Sequence, residues 1–378
     1  MGDVAELTRR LVGIESINPD LVPGGSGEAD VAAFVAGWAR ERGLAVEIVE
    51  PVPGRPSVVA TAPGTGGGRS LVLNAHMDTV GVAGMEGDPF GGRIERGRLY
   101  GRGALDMKGS LAACMIAAAD LAGRGLSGDV VLAAVADEEV ASIGARAVAE
   151  RLRADAAIVA EPTGGDVCVA HKGFVWLRVE IAGRAAHGSR PDLGVDAIAK
   201  MGRVLTGVGE LDRTLRDGPR HPLLGTGSVH ASTVEGGQEM SSYPDRCALG
   251  VERRTVPGEA EDQVRGELDA IVAAAREADP RLEARVEVTL TRDAFQVGED
   301  EPVVRHVMEA AAEARGGPPR VVGAGGWMDS AVFGAAGIPS VVIGPDGDGA
   351  HAAVEWVDVA SLERLRDVLV AAASRFCA

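Results

Sequence analysis

Aromatic side chains are scarce. Phe, Trp and Tyr make up 3% of the 378 residues, so any core must be filled by Val, Leu, Ile and Ala. Cysteines are few, at 114, 168, 247 and 377. None forms a CxxC pair and their separations suit no zinc ribbon, which leaves free thiols in a reducing cytoplasm. No apolar run is long enough to cross a bilayer. The first twenty residues, MGDVAELTRRLVGIESINPD, read as an amphipathic helix and a turn, without the basic start and apolar centre of a signal peptide. A cytoplasmic location is expected. Basic charge is also short, with 38 Lys and Arg against 55 Asp and Glu, a net −17. A surface that acidic repels phosphate backbones and excludes nucleic acid as an expected partner. Carboxylates gathered around bound cations would account for part of the excess.

What is present is a globular chain long enough for two domains. Helical spacing covers 3–14 and 29–42, and strands are expected at 45–49, 57–61 and 70–75. An Ala-rich buried helix over 107–123, strand 129–136, helix 142–153 and strand 156–160 follow. Alternating helices and nearly continuous apolar strands predict a sheet with helices on both faces. The pattern changes near residue 172. FVWLRVEIAG (174–183) alternates as a half-exposed strand does. Helix 194–209, two further strands, helix 259–278 and strand 282–290 complete a βαββαβ order, a one-layer sheet with helices on one face. Helix 302–315, strand 319–322, helix 328–336, strand 340–344 and helix 360–375 resume the alternation seen before residue 172. The chain thus divides into a discontinuous domain, 1–171 plus 292–378, and an inserted domain, 172–291.

The chemistry lies at strand ends. SLVLNA runs into His76 and Asp78, whose one-residue gap puts both side chains on one side of an extended chain. Asp106 sits among glycines in GRGALDMKG; a helix N-cap is its plain structural reading. Strand 129–136 ends in Asp137, Glu138 and Glu139, which as one acidic run is equally a polar turn. AAIVAEPT brings Glu161, and the glycine-rich IGPDGDGAH brings His351. In an open α/β sheet, ligands gather at the carboxyl ends of the strands. Two histidines and three carboxylates there make a mixed N/O site for divalent cations. Five ligands exceed one catalytic zinc with an open position and suit two metals sharing a bridging carboxylate. Of the adjacent glutamates, one can bind metal while its neighbour serves as general base to the metal-bound water.

These motifs (LNAHMDTV, GRGALDMKG, DEE, EPT and the late GAH) resemble the dinuclear zinc-dependent amidohydrolases and peptidases that include acetylornithine deacetylase, succinyl-diaminopimelate desuccinylase, aminoacylase and glutamate carboxypeptidase. The resemblance implies a zinc-exopeptidase-like α/β catalytic domain and an inserted α+β dimerisation (lid) domain. It implies that His76 and Glu161 bind one metal and Glu139 and His351 the other, with Asp106 bridging. The metals would be two Zn2+ ions, with Co2+ or Mn2+ as alternatives. Glu138 would be the base acting on a bridging water, Asp78 would orient His76, and the Asp106–Met107 peptide would be cis. In the inserted domain, GRAAHGSRPDLGVDAI carries His187, which in the family crosses a homodimer interface to polarise the substrate carbonyl. ERRTVPGE carries Arg254, which would hold the substrate carboxylate; from the residues alone, alternation turns only one of Arg253 and Arg254 inward. Ser241 stands where many members have asparagine. Asp329 matches a recurrent acid with a supporting role.

The expected activity is metal-dependent hydrolysis of an N-acyl amino acid or short peptide with a free carboxylate. Three other readings are weaker. VVGAGGWMDSAVFG mimics a dinucleotide fingerprint, but Met328 stands where the third glycine belongs. A non-catalytic binding homologue would have lost a ligand or Glu138. An aminopeptidase of this family tends to carry Asp at the position of Glu161.

Overall fold

A computed structural model describes residues 3–378. The chain forms two compact units. One runs to Val169 and adds Val297–Val322 and Met328–Ala378; the other comprises Ala170–Gln296 and Gly323–Trp327.

The larger unit is built on a mixed sheet. Its strands lie in the order Ala45–Val49, Ser57–Ala62, Val130–Val135, Leu71–His76, Ala156–Val159, Ser340–Val342 and Val167–His171. The inner strands Val130–Val135, Leu71–His76 and Ala156–Val159 run parallel and are buried throughout. That burial on both faces is why they read as continuous apolar runs rather than alternating ones. Leu71, Leu73 and Ala75 join the core that contains helices Gly109–Leu121 and Val359–Phe376. Val72 and Asn74 turn to the opposite face, where helix Ile143–Arg151 packs. The parallel arrangement brings the carboxyl ends of these strands to one edge, as the alternating pattern predicts.

A small antiparallel sheet of Arg93–Glu95, Arg98–Tyr100, Trp356–Asp358 and Gly347–Asp348 has no counterpart in the sequence reading. Its strands are two or three residues long, too short for a period to register. It carries the loop of His351. The helix expected from 107 begins at Gly109, preceded by a separate turn over Ala104–Lys108.

The smaller unit follows the expected βαββαβ order: strand Gly173–Ala182, helix Ala197–Arg216, strands Ser228–Gly236 and Arg246–Thr255, helix Glu261–Ala278 and strand Glu283–Arg292. Its four strands pair antiparallel, with Ser228–Gly236 at one edge. Val175, Leu177, Val179 and Ile181 face the helices and pack on Met201, Val204, Leu268 and Val272. Helix Ala197–Arg216 runs beyond the expected 209 because Leu211 and Leu215 continue its apolar stripe. Gly323–Trp327, which the sequence pattern places with the larger domain, packs here instead. The Trp327 indole donates to the Asp293 carbonyl, and the Lys172 amide donates to the Ala324 carbonyl.

Candidate metal centre

His76 ends the central strand and is buried. Its Nδ1 lies 3.0 Å from the Asp78 carbonyl, and its Nε2 lies 3.0 Å from Asp106 Oδ1 and 3.7 Å from Glu161 Oε1. A backbone acceptor on Nδ1 fixes the tautomer that leaves Nε2 free to bind a metal. Asp106 leaves helical geometry inside the turn Ala104–Lys108, and the peptide that follows it is cis. Lys108, not Asp106, occupies the cap position of the next helix. The other carboxylate oxygen of Asp106 lies 3.2 Å from His351 Nε2, which is also 3.1 Å from Glu139 Oε2. Asp106 therefore spans the two imidazoles, one oxygen to each.

His351 adopts φ 63°, a left-handed conformation that non-glycine residues take at a cost. Glu161 follows its strand closely packed: a Cβ on Gly344 would lie 2.0 Å from the Glu161 carbonyl oxygen, so only glycine fits there. His76, Glu138 and Glu161 present ligand atoms within 4.8 Å of one another, as do His76, Asp106 and Glu139.

Asp78 does more than face His76. Its carboxylate accepts the backbone N–H groups of Glu138 at 3.1 Å and Glu139 at 3.2 Å, so one side chain sets the position of both glutamates. Asn18 donates to Asp78 at 2.8 Å and to Asp137 at 2.9 Å. Asp137, the first of the three acids, is buried at φ 69° and also accepts from Arg55 at 3.0 Å. Arg55 makes a bidentate pair with buried Glu28 at 2.6 and 2.7 Å. The acidic run is therefore divided: Asp137 turns inward to anchor the bend, while Glu138 and Glu139 enter the site. A second clamp is Glu355, which is buried. Its Oε1 accepts the N–H groups of Leu105 and Asp106, and its Oε2 accepts Arg102 and the N–H of Gly103. Arg102 in turn donates to the Ala352 carbonyl, beside His351. Asn18, Glu28, Arg55, Arg102, Asp137 and Glu355 are not among the site residues expected from sequence.

The electrostatics fit cations. Burial, then the charge of Glu161, pushes the Glu138 carboxyl well above the usual range. Burial, then Asp106, does the same to Glu161, and burial raises Glu139 against its bond to His351. Burial would lower His76, but its bonds to Asp106 and Asp78 carry it well above the ordinary histidine value. Bonds to Asp106 and Glu139 draw His351 up to about 10. Among protein groups alone, protons must offset crowded carboxylates. Divalent cations would do so instead, and this carboxylate and imidazole donor set suits them.

Residues 72–375 match the model of peptidase family M20/M25/M40. The chain belongs to this family. It is 33% identical over 330 residues to an acetylornithine deacetylase of Myxococcus xanthus, covering 85% of this chain and 84% of that one. It is 29% identical over 380 residues to an N-formyl-4-amino-5-aminomethyl-2-methylpyrimidine deformylase of Bacillus subtilis, covering 90% and 87%. Among solved structures, a family M20 metallo-carboxypeptidase of Sulfolobus solfataricus superposes with TM-score 0.82 at 18% identity, over 100% and 99% of the chains. A dinuclear metal-binding peptidase of family M20 from Bacillus subtilis gives 0.75 at 18%, over 99% and 97%. The chain is a metallohydrolase of C–N amide bonds, of deacetylase or peptidase type.

His187 and Arg254 belong to the smaller unit. His187 is exposed, and its Nδ1 accepts the Ser189 backbone N–H at 3.2 Å, which leaves the ring proton on Nε2. Arg253 is wholly buried between Glu259 and Glu267, and Arg254 takes the other face of the sheet. Alternation is resolved in the sense that leaves Arg254 accessible. Ser241 donates to Glu239. Asp329 is buried, and its charge contributes to raising both Glu138 and Glu161. Among the described residues, no helix is long and apolar enough to cross a membrane. All four cysteines are buried, and none is in a disulfide.

Proposed function

We propose that the chain hydrolyses the amide of an N-acyl amino acid, or of a short peptide, bearing a free carboxylate. His76 and Glu161 would hold one divalent cation, Glu139 and His351 a second, and Asp106 both; zinc is the expected metal, with cobalt or manganese as substitutes. The observation that carries this reading is Asp106, whose two oxygens address the two histidines at 3.0 and 3.2 Å. When bound, the cations would lower the pKa of water and polarise the amide carbonyl.

The protein groups do the rest. Glu138 takes a proton from the attacking water and returns it to the departing amine nitrogen, work for a carboxyl whose burial already favours holding a proton. Asp78 keeps Glu138 in line through its backbone N–H and holds His76 beside it. The Nε2–H of His187 donates to the carbonyl oxygen as negative charge develops there. Arg254 anchors the substrate carboxylate through a planar fork of donors.

The smaller unit serves as dimerisation and lid element, with His187 acting in the partner's site. Support for a homodimer comes from edge strand Ser228–Gly236, where Val234 is 58% exposed, and from nearby Ile198, 46% exposed. An unpaired strand edge flanked by apolar side chains is a surface that pairs.

The test is amine release from a panel of N-acyl amino acids and dipeptides. Chelator-stripped protein reloaded with zinc or cobalt would be compared with Glu138→Gln carrying the same metals. Metal-dependent release that the variant loses by about 100-fold or more supports the reading. Release confined to free-amino dipeptides would move it to aminopeptidase. Glu138→Gln as active as the parent would remove Glu138 as base.

A further inference from the structure

Aromatic side chains make up 3% of this chain, yet two of them stand together on an open face. Strand Gly173–Ala182 sends its odd residues into the core of the smaller unit and its even residues to the other side. There Phe174 and Trp176 lie with ring centroids 5.2 Å apart, and Trp176 is 44% exposed. Register places Glu252 opposite Trp176 and Arg254 opposite Phe174. These four side chains form one unit. The Trp176 indole donates to Glu252 Oε2 at 2.8 Å, Arg254 Nε donates to Glu252 Oε1 at 2.7 Å, and the guanidinium lies 4.9 Å from the Phe174 centroid.

The guanidinium is thus held from behind. Its Nε is occupied by Glu252, and its terminal Nη edge, the edge that grips a carboxylate with two parallel bonds, stays available. Pinning removes much of the entropy cost of ordering a long side chain on binding. The indole is locked by its own N–H and exposes ring surface beside that fork. Glu252 has one oxygen committed to each donor, with a cation adjacent, so the pair supplies no net negative charge for a basic side chain.

We propose that Trp176, Glu252 and Arg254 form a specificity subsite for amino acids whose carboxylate lies next to an aromatic or large apolar side chain. The carboxylate goes to Arg254 and the side chain to the Trp176 ring. Glu252 is the positioning residue that holds both. This rests on the reading of Arg254 as the carboxylate anchor. It selects against ornithine-like side chains, whose charge would meet Arg254.

The experiment uses the full chain loaded with two zinc ions in the Glu138→Gln background, so that substrates stay intact. Calorimetry measures Kd for N-acetyl-phenylalanine, N-acetyl-alanine and N-acetyl-ornithine. The parent is compared with Trp176→Ala, Trp176→Phe, Glu252→Gln and Arg254→Gln. The parent should bind N-acetyl-phenylalanine tightest. Trp176→Ala should weaken it about tenfold more than it weakens N-acetyl-alanine, the scale of one lost aromatic pair with its buried area, and Trp176→Phe should recover most of that. Glu252→Gln should weaken all three ligands while leaving the melting temperature close to the parent's. Equal losses for phenylalanine and alanine in Trp176→Ala, or tightest binding of ornithine by the parent, would overturn the subsite. In those cases a uniform loss in Arg254→Gln would leave the carboxylate anchor standing. No effect of Arg254→Gln on any ligand, or no binding at all, would remove the anchor and the subsite together.

Discussion

Replacing Glu355 with glutamine tests whether the centre is held from behind. Four donors converge on its two oxygens: the N–H groups of Gly103, Leu105 and Asp106, and the Arg102 guanidinium. Glutamine keeps the shape but offers one acceptor oxygen, and its amide N–H2 would face donors. Two buried donors then lose their acceptor at about 1–3 kcal/mol each, and Arg102 loses the counter-charge to a buried cation. A total of about 3–5 kcal/mol is a large share of the roughly 5–15 kcal/mol that holds a domain folded. The same four bonds fix the turn of Asp106, and through Arg102 they tie it to the backbone beside His351. Loosening them should therefore weaken divalent metal binding by about 10–100-fold, the usual effect of removing a partner that orients a ligand. The assay is a chelator competition with zinc or cobalt, run beside thermal melts of the stripped protein. Melting lowered with metal affinity unchanged would make Glu355 a folding residue only, and the idea that it orients the site would be wrong. Glu355→Asp, which keeps the charge and both oxygens, should recover part of the affinity.

Other perturbations separate the remaining contributions. Asn18→Ala removes one donor shared by Asp78 and Asp137; kcat should fall about tenfold or more with KM little changed, given about 1.5–3 kcal/mol for a bond to a charged acceptor. A kcat within twofold of the parent would mean the bend holds without it. Metal loading should release protons, because His351 is drawn up to about 10 and His76 is also raised, which links proton loss to metal binding. Affinity should then rise from pH 6 to pH 8, read by calorimetry in buffers of different ionisation heat; a flat profile would contradict the geometry. Asp166 is a stability test away from the centre. Burial opposes ionisation, but bonds to Arg320 and Arg315 prevail and hold its carboxyl down at about 2. A lowered carboxyl stabilises the fold above the unfolded value near 4 and loses that contribution as pH falls through about 2. Asp166→Asn should cost at most about 2 kcal/mol at neutral pH, less if solvent screens the exposed arginines, and the two proteins should converge near pH 2 in denaturant melts.

How far the site can be read from sequence depends on how each residue is held. His76, Glu138, Glu139 and Glu161 sit where apolar strands stop, and a parallel sheet gathers such ends at one edge, so periodicity and chemistry together mark them. Arg254 shows a subtler limit. Alternation says that one of two adjacent arginines turns inward, but only the acids that meet Arg253, Glu259 and Glu267, decide which. Asn18 leaves no comparable sign. Its amide reaches Asp137 across 119 positions, and an asparagine before a proline reads as a turn whatever it bonds to. Glu28, Arg55 and Arg102 are similar, for a charged residue outside a regular element looks solvated until its partner is known.

The small sheet is invisible for another reason, since two- and three-residue strands carry no period, and with it goes the frame of the His351 loop. A pattern shows where a side chain emerges, and the bonds behind it are long-range. Those bonds carry the precision: a single carboxylate, Asp78, receives the backbone of both Glu138 and Glu139, so the spacing between these two glutamates is set by a residue 60 positions before the first of them. Moving Asp78 would shift Glu138 and Glu139 together. Moving Asp137 would change the bend that separates them from the strand. The three adjacent acids are therefore not interchangeable: the first, at φ 69° and fully buried, bears the conformational cost that points the other two into the centre.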